Sequence, residues 1–300
     1  MEPLVAVAIA TYNQEKYIIE CLASVVAQSY KNIKVFISDD CSSDNSVQKI
    51  REYIEKEKLE DKVFVNPSRS NLGIARNFQR AVDMSLEDEN VEYVIPFAGD
   101  DLMLVEKVAK QVAALRRNTD KSVCFSNMEW FDSKTNKKII DHFNFILRPS
   151  CNLDAIISDA LVPTPSLCFT RSIVEKVSYR EQFKYISDYV MLVEAAFHGG
   201  IIYIDEPLVR YRKHGESIMD TVLFLDERVE ASRYLRKVIG HNDATERFEI
   251  TADYDYLLDY YQKSEYRKFL RMLFKLFPTF FSSRKWLIRF IKLIKFVMIR

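Results

Sequence analysis

Length, composition and charge describe an ordinary folded protein. The chain has 300 residues, of which 48% are hydrophobic and 29% charged, so it is not a disordered chain and is long enough for one catalytic domain with an appendage. Its five cysteines are odd in number, far apart and without a CxxC pair, so neither a disulfide framework nor a zinc site is predicted.

The N-terminus is predicted to form the first strand. Residues 1–14 have no basic segment ahead of their apolar run and no small-residue cleavage site, so they are not interpreted as a signal peptide. Together with the cysteine usage, this predicts a cytoplasmic location.

Strand-like and helix-like patterns alternate along the first half of the chain. Apolar runs predict strands at Leu4–Ala10, Lys34–Ser38, Val63–Asn66, Tyr93–Ala98 and Ser122–Ser126, and three- to four-residue spacing predicts helices near 15–28, 44–58, 72–86 and 104–117. Such alternation is typical of an α/β fold, a mostly parallel sheet with helices on both faces. Ligands bind such sheets at the carboxyl ends of strands, which here carry Thr11, Tyr12 and Asn13 after the first strand.

The pattern changes from about residue 127. A turn at 134–137, a loop with Pro163 and Pro165, helices near 172–177 and 187–198, and a strand at Ile201–Tyr211 follow, and beyond about 220 the sequence is helical. We therefore predict one domain at 1–217, with two halves at 1–101 and 102–217, followed by a helical region at 218–300.

Asp100 and Asp101 form the sharpest motif, because they follow an apolar strand directly. Adjacent carboxylates repel one another unless a cation lies beside them. Mg²⁺ and Mn²⁺ take one or two carboxylates and fill their other positions with phosphate oxygens and water. A site for a metal and a diphosphate is therefore favoured over a helix cap.

Three other motifs have weaker signals. Asp39 and Asp40 end the second predicted strand without an evident structural role, since Ser43 or Asp44 serves as cap of the next helix; a nucleotide ligand and a cap are about equally supported. Arg76 lies early in the third predicted helix, where its side chain would either face solvent or contact a phosphate or base of a nucleotide. The turn ATYNQE at residues 10–15 is, by itself, ordinary turn chemistry.

In their order and spacing these four motifs resemble those of the family-two glycosyltransferases of the GT-A fold, which transfer a sugar from a nucleoside diphosphate with inversion of the anomeric centre. The resemblance covers about residues 3–217. It implies that the domain at 1–217 is catalytic, with a nucleotide-binding half at 1–101 and an acceptor half at 102–217. It implies that Tyr12, Asp40 and Arg76 line the base pocket and that Asp100 and Asp101 serve ribose and metal. We assign Thr11 and Asn13 to the same nucleotide-sugar site. Ala98 stands where many members have a carboxylate, so metal binding rests on Asp100 and Asp101.

Two further assignments also rest on the resemblance. Asp188 opens a predicted helix and alone would be read as a cap, but in the family an Asp or Glu at this point is the general base. The segment Val209–Ser217 is similar to the family's Tyr-Arg-x-His-x-x-Ser ending. This implies that Arg212 and His214 lie near the diphosphate and stabilise the leaving group, with His214 as a metal ligand.

The resulting prediction is a metal-dependent inverting hexosyltransferase that uses Mg²⁺ or Mn²⁺. It would move a sugar from a UDP or dTDP donor to a saccharide or lipid-linked saccharide in bacterial surface polysaccharide synthesis. The alternative is a non-catalytic nucleotide-sugar-binding module, which would have no need for Asp188 and His214. P-loop enzymes and dehydrogenases are disfavoured because GxxxxGK[ST] is absent and the first strand does not end in GxGxxG.

The C-terminal segment is strongly basic. Residues 264–300 carry ten Lys or Arg and one acid, and between Ser283 and Arg300 the cations alternate with apolar arcs. Two interpretations stay open: a helix on an anionic membrane surface, at the inner face of the cytoplasmic membrane, or a helix packed on the catalytic domain or a second subunit. We expect no nucleic-acid partner and count a homo-oligomer among the expected states.

Overall fold

The computed structural model describes residues 2–142, 153, 156–157, 162–213, 223–240, 243–263, 265–280, 290–291 and 293. By its internal contacts the chain divides into two compact units. Unit 1 comprises Met1–Ile156 and Ala160–Asp220, and unit 2 comprises Ile157–Asp159 and Thr221–Arg300.

Unit 1 is built on one sheet. Its strands are β1 (Leu4–Thr11), β2 (Ile33–Asp39), β3 (Val63–Pro67), β4 (Val91–Ala98), β5 (Leu102–Met103), β6 (Val123–Asp132), β7 (Lys138–Asp141), β8 (Cys168–Thr170) and β9 (Ile201–Lys213). Among the described residues the strand order is β3-β2-β1-β4-β8-β6-β9-β5, with β7 beside β6. Strands β1 to β4 pair in parallel, as do β6 and β9. The predicted mostly parallel sheet is confirmed.

The helices of unit 1 are α1 (Ile18–Val26), α2 (Ser46–Glu57), α3 (Ile74–Leu86), α4 (Lys107–Arg117), α5 (Arg171–Val174) and α6 (Ser187–Gly199). Helix α1 shows why they form: Ile18, Cys21, Leu22 and Val25 recur at helical spacing, and all four are buried. They pack into the core formed by β1, β2 and β4, in which every residue of β1 is buried. A strand buried on both faces is expected to read as a continuous apolar run, as β1 does.

The strand pairing brings three predicted site segments to one edge. Thr11 at the end of β1 lies opposite Asp39 at the end of β2, and Ala10 lies opposite Ala98 at the end of β4. Because these strands are parallel and adjacent, the turns that follow them emerge side by side.

Three short strands were not predicted. Strand β8 lies in the segment predicted as a proline-interrupted loop. It pairs antiparallel with β4 through Phe169 and Thr170, and with β6 through Cys168 and Phe169. Strand β5, two residues long, pairs antiparallel with β9, and β7 pairs with β6. Each is too short to show a period in the sequence, and each depends on a partner far away in the chain.

Unit 2 contains α7 (Leu223–Val238), α8 (Asp243–Gln262) and α9 (Tyr266–Phe280). Aromatic and aliphatic side chains of α8 and α9, among them Tyr254, Leu257, Phe269, Leu276 and Phe280, form its core. The predicted helical C-terminal region is confirmed. Among the helices described, none is both long enough and apolar enough to cross a membrane.

A buried lysine ties α4 to the segment ahead of β8. Lys107 is fully buried, and its Nζ donates hydrogen bonds to Gln111 Oε1 (2.6 Å) and to the Leu167 carbonyl oxygen (3.3 Å). Gln111 Nε2 in turn donates to the Ser166 carbonyl (2.6 Å). Burial disfavours the charged ammonium and lowers the pKa of Lys107 to about 8.

The lowered pKa of Lys107 predicts that the stability of the fold depends on pH. Between pH 8 and the ordinary lysine value of 10.5 the unfolded chain binds more protons at Lys107 than the folded chain, so the free energy of unfolding rises with pH. Below pH 8 the cost of burying the charge is fully present. Relative to Lys107→Met, the wild type should gain about 3 kcal/mol over this window. Urea unfolding at several pH values measures the difference.

The matched control is Lys110→Met, which removes a partly exposed lysine of the same helix that pairs with Glu206. Its stability should follow the wild-type pH profile. Parallel profiles for wild type and Lys107→Met would contradict a lowered lysine pKa.

Candidate active site

The turn after β1 is tied to the turn after β2. Thr11 Oγ1 donates to Gln14 Oε1 (2.9 Å), which closes the first turn. Asn13, with a φ of 51°, donates its backbone N–H to Ser42 Oγ and accepts the Ser43 N–H on its Oδ1, both at 2.9 Å. Tyr12 lies between them with 47% of its surface exposed. The structure thus leaves the Tyr12 ring accessible while it fixes the backbone on either side.

Asp39 and Asp40 both have structural partners, which corrects the expectation that neither has such a role. Asp39 accepts the N–H and the hydroxyl of Ser42 (2.9 and 2.5 Å). Asp40, also buried, accepts the N–H groups of Leu72 and Gly73 on its two carboxylate oxygens (2.5 and 2.9 Å). Asp40 therefore fixes the loop that enters α3, where Gly73 has a φ of 86° that a residue with a side chain rarely adopts.

Asp100 and Asp101 stand on a tight turn at the end of β4. The Gly99 N–H donates to the Ala10 carbonyl (3.1 Å), which attaches this turn to the end of β1. A Cβ at Gly99 would lie 2.4 Å from Gln14 Oε1 and 2.9 Å from Ile18 Cδ1, so a larger residue here would require the ends of these two side chains to move.

Burial and repulsion act together on the Asp100–Asp101 pair. Asp101 is buried and Asp100 partly buried. Desolvation, and next to it the neighbouring Asp100 carboxylate, raise the pKa of Asp101 well above its ordinary value. The folded protein by itself therefore disfavours the charge on Asp101, as expected where a positive partner is to be bound.

Arg212 joins the end of β9 to this turn. Its backbone N–H donates to Asp101 Oδ1 (3.0 Å), and its side-chain Nε donates to the Asp100 carbonyl oxygen (2.7 Å). Arg212 therefore lies directly against the turn that carries the aspartate pair. One buried arginine holds both residues of the turn.

The guanidinium of Arg212 is itself held by protein groups. Its Nη2 pairs with Glu20 of α1 at 2.6 Å, and its Cζ lies 4.8 Å from the Tyr17 ring centroid and 4.7 Å from that of Phe131. A guanidinium between two aromatic faces is favourably placed by cation–π attraction. These contacts make Arg212 a positioning residue for the aspartate turn. A direct contact with the donor stays a prediction.

Arg76 is engaged with an acidic side chain. Its Nη2 lies 2.5 Å from Glu181 Oε2, and both side chains are more than half exposed. The hydrogen bond from Arg76 to Glu181 raises the pKa of the arginine above its ordinary value. A donor that binds Arg76 would have to share or displace Glu181.

Asp188 lies in the first turn of α6, and Ile186 is the residue at the cap position. The Oδ1 atom of Asp188 accepts a hydrogen bond from the Tyr189 N–H at 2.7 Å. The ring of Tyr179 is near enough for the Asp188 charge to add to burial in raising the pKa of the phenol. Tyr179 in turn stacks on Phe78 of α3, with the ring centroids 5.3 Å apart.

His214, the predicted metal ligand, lies outside the described residues. Within the described ranges, no group of three or more His, Cys, Asp or Glu side chains is placed to hold a metal. Asp100 and Asp101 could supply two ligands of such a site.

Three residues near these turns were missed in the sequence. Gln14 and Glu20 lie within or just after the first motif, and Asn77 directly follows Arg76. The buried Asn77 donates from Nδ2 to the Thr11 carbonyl (3.1 Å), while its Oδ1 is buried without a hydrogen-bond partner among the described residues. In the sequence, the position of Asn77 directly after Arg76 was the feature that could have marked it as a residue of the site.

Residues 6–181 match the profile of a family described as Glycosyl transferase family 2. An uncharacterized glycosyltransferase of Haemophilus influenzae is 29% identical over 48% of this chain and 57% of its own length, and a second one from that organism is 24% identical over 71% and 66%. The chain thus spans somewhat less than two thirds of both relatives. Glycosyltransferase GlyG of Streptococcus pneumoniae is 22% identical over 95% of this chain and 98% of its own length.

Two solved structures show the same fold. TarS 1-349 of S. aureus in complex with UDP-GlcNAc has a TM-score of 0.62 at 17% identity, covering 96% of this chain and 79% of its own. Mannosyltransferase PcManGT of Pyrobaculum calidifontis, in complex with GDP-Man and Mn²⁺, has a TM-score of 0.58 at 16% identity, covering 99% and 81%. The predicted GT-A fold is confirmed.

Proposed function

Because the chain belongs to glycosyl transferase family 2, we propose that it transfers a hexose from a nucleoside diphosphate sugar to a saccharide or lipid-linked saccharide, with inversion at the anomeric carbon. One observation carries the proposal: the turns after β1, β2 and β4 emerge together, and the last of them presents two adjacent carboxylates, one of them buried, an arrangement that suits a cation.

The donor site is proposed along this sheet edge. Tyr12 offers an exposed aromatic ring for a base, Thr11 and Asn13 fix the turn on either side of it, and Asp40 fixes the loop that enters α3. The related structures bind UDP-GlcNAc in one case and GDP-Man in another. We favour UDP or dTDP as the donor nucleotide, and Arg76 as a ligand of its base or phosphate once Glu181 gives way.

Mg²⁺ or Mn²⁺ suits the residues at the aspartate turn. Asp100 and Asp101 supply hard oxygen donors, and such ions commonly complete their shell with substrate phosphates and water. His214 is proposed as a further ligand. A bound cation would neutralise charge on the departing diphosphate. Arg212 would contribute by keeping both aspartates in place and by its own positive charge.

Asp188 is proposed as the general base. Inverting transfer is a single displacement: the acceptor hydroxyl oxygen attacks C1 of the sugar, the bond from C1 to the diphosphate oxygen breaks, and the hydroxyl proton passes to a carboxylate. The diphosphate leaves with the electron pair of the broken bond. Asp188 is partly exposed at the start of α6, which suits a group that meets the acceptor.

The proposed setting is bacterial surface polysaccharide synthesis at the inner face of the cytoplasmic membrane. The basic tail at 283–300, most of which lies outside the described residues, would bring the enzyme to a lipid-linked acceptor there.

A donor panel tests the proposed activity. Purified protein with Mn²⁺ is incubated with UDP-, dTDP- and GDP-sugars, and release of the nucleoside diphosphate is measured. We expect slow hydrolysis, in which water replaces the acceptor, of a uridine or thymidine donor. Tight binding of a donor without release under any condition would favour a non-catalytic nucleotide-sugar-binding module instead.

A further inference from the structure

Helix α9 carries more apolar surface than the core of unit 2 covers. At helical spacing, Phe269, Leu276 and Phe280 fall on one side and are buried in the core with α8. A second apolar row, formed by Tyr266, Leu270, Phe274 and Phe277, runs along the adjoining arc of the same helix. This second row is named the α9 stripe.

The side chains of the α9 stripe are each about half exposed or more, although the ring of Phe277 contacts that of Phe290, with the two centroids 6.1 Å apart. The exposed fractions are 57% for Tyr266, 48% for Leu270, 75% for Phe274 and 49% for Phe277. Single exposed apolar residues are common on soluble proteins, but four in one row over three turns make a contiguous patch. Such patches mark interaction surfaces.

Cations border the α9 stripe. Arg267, Lys268, Arg271 and Lys275 follow on the next arc of the helix, and all four are exposed. Lys268 pairs with Glu265 and Lys275 with Asp253, so their charges are partly balanced. Arg267 and Arg271 are the cations next to the apolar row. The wider segment 264–300 has ten basic residues against one acid.

We propose that α9 lies on an anionic membrane surface, with the α9 stripe at the acyl boundary and Arg267 and Arg271 among lipid phosphates. An aromatic and aliphatic face flanked by arginine and lysine is the composition of an interfacial helix. Charge complementarity selects an anionic lipid surface over a neutral apolar partner. This deepens the proposed function, on which the place of a lipid-linked acceptor rests, but vesicle binding is measured without sugar transfer.

The test is co-sedimentation of the full-length protein with vesicles. Wild type should bind vesicles of phosphatidylcholine and phosphatidylglycerol, bind pure phosphatidylcholine poorly, and be released by salt. Leu270→Ser with Phe274→Ser should weaken binding at least about tenfold because apolar side chains no longer enter the bilayer. Arg267→Gln with Arg271→Gln should weaken it about fivefold for each cation removed.

Matched controls come from unit 1. Val105→Ser removes an exposed apolar residue, and Arg51→Gln with Lys56→Gln removes two exposed cations of α2. These variants should bind vesicles like wild type. All variants should keep wild-type circular dichroism and the donor hydrolysis rate in solution, which separates failed docking from a failed enzyme.

Two results would overturn the proposal. If the stripe variants bind vesicles as wild type does, another surface docks. If wild type is a dimer in light scattering without lipid, and the stripe variants are monomers that bind vesicles normally, a second copy of the chain covers the stripe.

Discussion

Asp101→Asn is expected to lower sugar transfer by roughly 10²–10³-fold, because it removes a carboxylate that neutralisation of the leaving group requires. The amide keeps an oxygen acceptor for the Arg212 N–H, so the aspartate turn keeps its hydrogen bond. In the metal-free protein the melting temperature should stay level or rise. Burial and Asp100 disfavour the charge on Asp101, and the neutral amide relieves that cost.

Three measurements check this prediction. The rate of transfer or donor hydrolysis is measured with Mn²⁺ and again with excess EDTA. Mn²⁺ binding is measured by electron spin resonance, and the melting temperature is measured by calorimetry in the absence of metal. Wild type should lose activity in EDTA, and Asp101→Asn should bind Mn²⁺ weakly at unchanged or higher melting temperature. Full wild-type activity in EDTA, or an inactive variant with a lowered melting temperature and normal Mn²⁺ binding, would sink the metal assignment.

Asp88→Asn is the matched control. Asp88 lies just before β4, at the opposite end of that strand from the aspartate turn, and accepts a hydrogen bond from Lys34 at 2.6 Å, which lowers the pKa of Asp88 to about 2. This charge stabilises the fold, so its loss should lower the melting temperature and leave the dependence on Mn²⁺ unchanged. Asp101→Asn is therefore expected to lower activity without lowering the melting temperature, whereas Asp88→Asn is expected to lower the melting temperature and to keep the dependence on Mn²⁺.

The parallel part of the fold could be predicted because its signals are local. Strands such as β1 are continuous apolar runs, and helices such as α1 repeat apolar residues at three- and four-residue spacing. Strand β6 was predicted to end at Ser126 but continues to Asp132, because β9 pairs with it over the whole length. Pairing over such a distance leaves no local pattern that would mark the strand end.

The candidate site was predictable at its strand ends and less so in its supporting contacts. The topology brings the turns at Thr11, Asp40 and Asp100 together, as parallel strands must. The partner of Arg212 is Glu20, 192 positions away in the chain, and no spacing rule connects them. Likewise the carboxylate of Asp40 is engaged by backbone N–H groups that only the folded loop presents.

Asp188→Asn is expected to lower kcat by roughly 10²–10⁴-fold, the usual worth of a general base, while the affinity for the nucleotide sugar stays nearly unchanged. The amide oxygen can still accept the Tyr189 N–H, so the first turn of α6 should persist. Single-turnover transfer and isothermal titration with the donor separate the two quantities. A fall in donor affinity in step with the rate would identify Asp188 as a structural residue.

Glu194→Gln provides the comparison on the same helix. Glu194 is buried and pairs with Arg180 at 2.9 Å, so the substitution leaves an ion pair broken in the interior. It should lower the melting temperature yet retain most of kcat, because Glu194 has no proposed contact with the acceptor. Equal losses of kcat in the two variants would mean that the integrity of α6, and not proton transfer at Asp188, limits the reaction.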